Sequence, residues 1–259
     1  MEHLPGGSGG VWRVDDPVHG PTVHRPTGPW TPAVHDLLMH LTDAGMDGIP
    51  RVLGFDAEGR EVLTYLSGRT IAVDSEQAPD HTLAAAARWL RRFHDAVRAY
   101  DPGPRTWRQT SASLGPGQLI CHNDTGAYNW IVDGDRFAGM IDWDQAGPGR
   151  PLDDLAFLCW SGIPLFRGTP ATDAAPRVRI AAQAYGGVDP ATLLDAIADR
   201  MQRASDRIAT GIERGDPGML SLQALGEPAR TRRRVDAFAS RLSELRAHAD
   251  AERRVGGSP

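Results

Sequence analysis

Between residues 119 and 144 the sequence runs LICHNDTGAYNWIVDGDRFAGMIDWD. His122, Asp124 and Asn129 follow the short apolar run Leu119–Cys121 in the pattern H-x-D-x4-N, and Asp142 and Asp144 follow a second apolar run at 136–141. Asp142 lies 13 residues after Asn129, enough for a strand out, a turn and a strand back. Asp133-Gly134-Asp135 supplies the turn, because Asp-Gly suits the tight turns whose twist matches paired strands. The spacing therefore predicts a hairpin with Asn129 and Asp142 meeting at its open end. Carboxylates and an amide gathered at a sheet rim are hard oxygen donors of the kind magnesium takes, and a further carboxylate can orient a hydroxyl and accept its proton. Those are two of the three requirements of phosphoryl transfer, the third being positive groups for the phosphates. Read more plainly, the same acids and amide would cap turns around a hairpin.

The elements that must position this hairpin can be read on either side of it. Residues 11–14 and 22–25 read as short strands beside a glycine-rich loop at 6–10, with a turn at 15–21. Thr31 followed by Pro32 predicts a helix start, the threonine capping free amides and the proline at the first helical position. Val34, Leu37, Leu38 and Leu41 recur on one face, and Gly45 ends the run. Strands at 51–55 and 61–66 flank a turn at 56–59. Residues 1–67 are thus expected to form a small strand-rich lobe with one helix, and 68–259 a mostly helical lobe that carries the hairpin. In the larger lobe a helix opens at Asp80 or His81 and runs to about Tyr100, stopped by Asp101-Pro102-Gly103-Pro104. His94 on that helix reads as a structural histidine. Residues 147–151 read as a rigid turn, with Asp153 and Asp154 heading the next helix, where acids favour the helix dipole. Further helices are expected at 175–185, Pro190–Glu213 and 219–251, with Arg232, Arg233 and Arg234 as a solvated face. Trp130, Trp143, Phe157 and Trp160 read as core. The class is α+β.

A chain of 259 residues makes one large domain or two small lobes and can bury roughly 70 to 75% of its unfolded surface. The formal charge of −5, from 28 basic and 33 acidic residues, argues against a nucleic-acid partner. No segment reaches the roughly 18 apolar residues of a bilayer span, and the start MEHLPGGSGG lacks a basic-then-apolar leader, so no membrane partner is expected. Cys121 and Cys159 sit in apolar surroundings and read as core thiols of a reducing compartment, which makes the cytoplasm the expected location. All 28 basic residues are arginines, and the chain has no lysine.

The H-x-D-x4-N pattern, the I-D-W-D run, and Gly147-Pro148-Gly149 leading to Asp154-Leu155-Ala156 together resemble the catalytic segment of the aminoglycoside and choline kinase-like phosphotransferases. That family shares the protein kinase fold. The resemblance is strong over 119–157 and fair over 51–66. It implies a two-lobed protein kinase-like fold with an abbreviated N-terminal lobe. It further implies that Asp124 is the general base or hydroxyl-orienting carboxylate, that His122 supports the catalytic loop, and that Asn129 and Asp142 hold Mg2+ on ATP. Asp144 would ligate metal through water or shape the acceptor site, and Asp154 would brace the loop. The family's phosphate-contacting lysine has no lysine here to match it. Arg25 is its nearest counterpart and would offer the phosphates a planar fork in place of a point charge. The helix at 32–44 also lacks the glutamate that pairs with that lysine, although Asp36 and Asp43 are available and shorter. The implied activity is Mg2+-dependent transfer of the ATP γ-phosphoryl group to a hydroxyl of a small molecule: an aminoglycoside, an amino alcohol or a sugar. Asp144, Asp153, Asp206, Glu213 and Asp216 are the carboxylates available to a cationic acceptor. Two alternatives stand beside this reading: a kinase-like small-molecule or nucleotide binding protein impaired in catalysis by the missing lysine, and, ranked last, a phosphohydrolase.

Overall fold

The computed structural model describes residues 1–4 and 10–255. Of the expected glycine-rich loop only Gly10 falls inside them, the rest lying outside the described residues. The chain packs as two compact units. The first comprises Met1–Thr70, Arg91–Thr125 and Asn129–Pro151, and the second Ile71–Leu90, Gly126–Tyr128 and the chain from Leu152 onward. All of residues 1–67 fall in the first unit, together with the hairpin that the sequence reading groups with 68–259.

The first unit is built on a five-stranded antiparallel sheet with order β1-β2-β3-β5-β4, from β1 (Glu2–His3), β2 (Trp12–Asp16), β3 (Gly20–Arg25), β4 (Val52–Phe55) and β5 (Glu61–Thr64). Helix α1 (Thr31–Asp43) buries Val34, Leu37, Leu38 and Leu41, the expected face, and packs against β4. Its start differs from expectation. Trp30 occupies the cap position and makes no side-chain cap bond, while the Thr31 hydroxyl accepts the Gly28 amide at 2.9 Å. Thr31 has already entered the helix, so its oxygen serves the turn that precedes it.

Helix α2 (Asp80–Ala96) ends four residues earlier than expected, and residues 97–99 continue as turn. Strands β7 (Trp130–Asp133) and β8 (Arg136–Met140) form the predicted hairpin, with Trp130 opposite Met140 and Asp133 opposite Arg136. Strand β6 (Leu119–Cys121) pairs with β9 (Gly147–Gly149), a stretch expected to be a rigid turn. With Pro148 in the middle of only three residues, β9 has neither the length nor the alternation by which a strand announces itself.

Two glycines let the hairpin dock. Gly68, at φ +138°, sits where a Cβ would come within 2.5 Å of the Val132 carbonyl oxygen, and its neighbour Arg69 exchanges both backbone hydrogen bonds with Val132 at 2.9 and 3.0 Å. Gly139 of β8 lies against Gly48, whose carbonyl oxygen would be 2.3 Å from an added Cβ and accepts the Met140 amide at 2.9 Å. The obstacle at Gly139 is backbone and cannot rotate aside. Gly139→Ala is therefore expected to lower the unfolding free energy by about 1–3 kcal/mol, measurable by urea denaturation.

The second unit is helical. It holds α3 (Pro151–Gly162), α4 (Ala171–Tyr185), α5 (Pro190–Glu213), α6 (Pro217–Ala224), α7 (Ala229–Ala239) and α8 (Leu242–Val255). Asp189 caps α5 by accepting the Thr192 amide at 3.0 Å, with Pro190 at the first helical position, which is why its bounds match the sequence reading. The long helix expected at 219–251 is instead α6, α7 and α8. Gly226 at φ +85° and Pro228, which has no amide proton to donate, break the first junction. Val235, Phe238 and Leu245 are buried, and Phe238 meets Trp160 edge-on at 5.6 Å. Arg232 and Arg233 are exposed, as a solvated face requires, and Arg234 lies over the Phe166 ring. Cys121 and Cys159 are both buried, and burial pushes the Cys159 thiol up. Among the described residues no helix is long and apolar enough to cross a membrane.

Asp56 closes the turn between β4 and β5. It accepts the amides of Glu58 and Arg60 at 3.0 and 2.9 Å and pairs with Arg60 Nε and His24 Nδ1, both at 2.7 Å. Burial alone would raise this carboxyl, but the His24 and Arg60 contacts together hold it well below the usual carboxylate range. A carboxyl lowered on folding contributes stability that is complete above its unfolded pKa and is lost as pH falls through the folded one. Asp56→Asn should thus lower the urea midpoint at pH near 7, and the two proteins should converge as pH is taken below about 4.

Candidate active site

Residue 141 is where the site is assembled. The Ile141 amide donates to the Asn129 carbonyl oxygen at 2.9 Å, extending the hairpin one step beyond the Trp130–Met140 pair. The Ile141 carbonyl oxygen in turn faces His122 Nε2 at 3.1 Å. Because the Asp124 amide donates to His122 Nδ1 at 3.3 Å, Nδ1 is the acceptor and Nε2 carries the proton given to Ile141. One backbone position thus ties the start of the 122–129 loop to its end and sets Asp142 next in line.

Asn129 is buried, at the end of a short 3-10 turn (Ala127–Asn129). Its Nδ2 donates to the Asp124 carbonyl oxygen at 2.9 Å and to the Asp124 carboxylate at 3.0 Å. The Asp124 side chain is oriented by that bond, and Oδ1 remains as the Asn129 acceptor. The adjacent Asn123 was not singled out from the sequence. It has left-handed backbone, φ 62°, and its Nδ2 donates to the carbonyl oxygens of Gln145 and Gly147 at 3.1 and 3.2 Å, lacing the 122–129 loop to the 142–147 segment. Asp142 is left-handed as well, φ 62°, and exposed. Asn and Asp tolerate this region better than other L residues, a local signal that was available in the sequence.

Trp143 is core. Its indole donates to the Met140 carbonyl oxygen at 3.1 Å, its ring meets Phe93 edge-on at 5.1 Å, and it packs on His122 at 4.6 Å. That packing leaves Asp142 and Asp144 on either side of an anchored residue. Asp144 accepts from Arg25 Nη2 at 2.5 Å and from Arg108 Nη1 at 3.2 Å, and Arg108 lies over the Trp30 ring at 4.4 Å. Burial pushes the Asp144 carboxyl up, against the pull of these guanidiniums.

Arg25 reaches Asp142 and Asp144, and its anchoring carboxylate is neither of the helix acids named from the sequence. Asp36 instead pairs with Arg105 at 3.0 Å. Arg25 Nε donates to Glu61 Oε1 at 2.6 Å, while Nη1 and Nη2 face Asp142 at 3.4 Å and Asp144 at 2.5 Å. Burial alone would lower the Arg25 pKa, but Asp144, Glu61 and Asp142 together raise it above its usual value, so the charge is secure. Glu61 is 1% exposed and shares the inward face of β5 with Leu63. An acid in the inward register of an alternating strand is the signal that could have found it, since a buried charge must have a partner.

Among the carboxylates considered for a cationic acceptor, Asp153, Asp206, Glu213 and Asp216 belong to the second unit. There Asp153 pairs with Arg203 at 2.7 Å, Asp206 accepts from Gln202 at 3.2 Å and Asp216 caps α6 through the Met219 amide at 3.0 Å. Asp154 is buried in the first turn of α3.

Comparison with known proteins places this geometry in context. Residues 104–196, which contain the whole H-x-D-x4-N and I-D-W-D segment, match the model of the phosphotransferase enzyme family. The chain is 35% identical over 182 residues to the trifolitoxin immunity protein of Rhizobium leguminosarum bv. trifolii, an alignment covering 64% of this chain and 68% of that one. It is 31% identical over 117 residues to viomycin phosphotransferase of Streptomyces vinaceus, covering 40% of this chain and 41% of that one. Among solved structures, amicoumacin kinase in complex with AMP-PNP, Ca2+ and Ami superposes with a TM-score of 0.64 at 11% identity, covering 93% of this chain and 87% of that one. The fold is accordingly the kinase-like fold expected from the catalytic segment. With a family model spanning the Asp124, Asn129 and Asp142 segment and a relative 35% identical along 68% of its length, this chain belongs to the phosphotransferase enzyme family and is a small-molecule phosphotransferase.

Proposed function

We propose that the protein transfers the γ-phosphoryl group of ATP to a hydroxyl of a small molecule, with Mg2+ on the nucleotide. The observation that carries this reading is the Asn129 side chain, whose amide proton side orients Asp124 while its backbone carbonyl accepts from Ile141, the residue before Asp142. The donors offered to a metal are an amide oxygen and a carboxylate. Such an oxygen-only set fits a hard cation, so Asn129 and Asp142 are the residues assigned to it, with Asp144 as a more distant acid. When bound, Mg2+ would neutralise charge on the phosphate oxygens.

In this mechanism Asp124 accepts a hydrogen bond from the acceptor hydroxyl and aligns its oxygen with the γ-phosphorus. As the new O–P bond forms, the bond from phosphorus to the β–γ bridging oxygen breaks, its electron pair leaves with ADP, and the hydroxyl proton passes to the Asp124 carboxylate. Arg25 supplies positive charge to the phosphates and His122 holds the loop. We further propose that residues 1–67 form the nucleotide-side lobe and 68–259 the acceptor-side lobe. Aminoglycosides, amino alcohols and sugars are the acceptor classes. The two curated relatives are named for immunity to trifolitoxin and for phosphorylating viomycin, which adds toxins and antibiotics to the search.

The test is an ATP-consumption screen over these acceptors, followed by mass analysis for the phosphoryl increment. Asp124→Ala is expected to reduce kcat by roughly 100-fold or more with little change in nucleotide affinity. Asp142→Asn should instead raise the magnesium concentration needed for half-maximal rate. Parent-level kcat in the first variant, or unchanged magnesium dependence in the second, would reject the corresponding role.

A further inference from the structure

We propose that Glu61 and His35 are positioning residues for Arg25. On this view the strand carboxylate and the helix imidazole hold the guanidinium in the plane that presents its outer edge to the nucleotide phosphates. This rests on the phosphotransfer reading above and goes beyond it by naming what replaces a lysine and its helix-borne acid.

Arg25 and Glu61 are direct cross-strand partners in the β3–β5 register, so their side chains rise from the same face of the sheet. Each Glu61 oxygen has its own donor: Oε1 takes Arg25 Nε at 2.6 Å, and Oε2 takes His35 Nε2, from α1, at 2.8 Å. A carboxylate has no proton to give, so His35 Nε2 is the protonated nitrogen in that contact. Both partners are enclosed, Glu61 at 1% and His35 at 7% exposure. A guanidinium is flat, and anchoring its Nε fixes where the two Nη groups point. They point at Asp142 and Asp144, the acids assigned to the nucleotide-metal end of the site.

The order of the usual pair is thus exchanged: here the strand supplies the acid and the helix supplies a hydrogen-bond donor to it. A lysine at position 25 would have no Nε–H to anchor and could not serve Glu61 and the outer acids together. Without Glu61 the guanidinium would lose the Nε anchor that fixes the direction of the two Nη groups.

The deciding experiment is calorimetric titration of the full chain with ATP and magnesium, alongside thermal melts, for the parent and for E61Q, H35L and H35Q. Glutamine at 35 keeps a donor close to the position of Nε2, whereas leucine removes it. The expected result is cooperative melting throughout, about tenfold or weaker nucleotide binding in E61Q and H35L, and recovery toward the parent in H35Q. Parent-like binding in E61Q and H35L overturns the inference while leaving the phosphotransfer reading intact. No binding by the parent overturns both. Should E61Q fail to fold, the H35L and H35Q pair decides: weaker binding in H35L with recovery in H35Q supports the inference, and parent-like binding in H35L overturns it.

Discussion

The peptide groups on either side of Ile141 carry more of this site than any side chain does. One donates to Asn129, the other accepts from His122, and the next residue is Asp142. Backbone hydrogen bonds buried in a small sheet have few alternatives, because an unpaired group there costs its full desolvation. The loop between His122 and Asn129 is therefore closed as a ring by the hairpin register. A slip of one residue would turn every β8 side chain to the other face and remove Asp142 from its place.

The hairpin side of that ring was legible in the sequence because its signals are local, whereas the His122 contact to the Ile141 carbonyl was not. Asp133-Gly134 fixed the turn, the residues between Asn129 and Asp142 fixed the strand lengths, and the antiparallel register followed. Asn123 and Glu61 were not legible for a physical reason. Each acts through a partner brought near by tertiary folding: Asn123 through carbonyls of Gln145 and Gly147, Glu61 through Arg25, 36 residues earlier, and His35. No spacing rule within one element predicts such contacts. The helices show the same division. Asp189 and Pro190 announced the start of α5, whereas the run after Pro217 reads as one amphipathic pattern unless Pro228 is allowed to overrule it.

The chain without lysine solves its charge problem with forks. Arg25 serves three acids at once through Nε and both Nη groups, and Arg108 reaches Asp144 while lying over Trp30. A flexible ammonium concentrates its charge at one point, whereas these planar groups divide theirs among fixed directions. Charge near the site is thereby coupled to the geometry of β3, β5 and α1.

The two left-handed residues, Asn123 and Asp142, bear on how portable this segment is. Such backbone costs an L residue about 1–2 kcal/mol, and here it is held by hydrogen bonds to other parts of the first unit, with Gly68 and Gly139 providing the docking surface. Excised and grafted onto a foreign scaffold, the stretch would relax toward ordinary turns. A designer wishing to transplant it would have to carry the bed along with the loop.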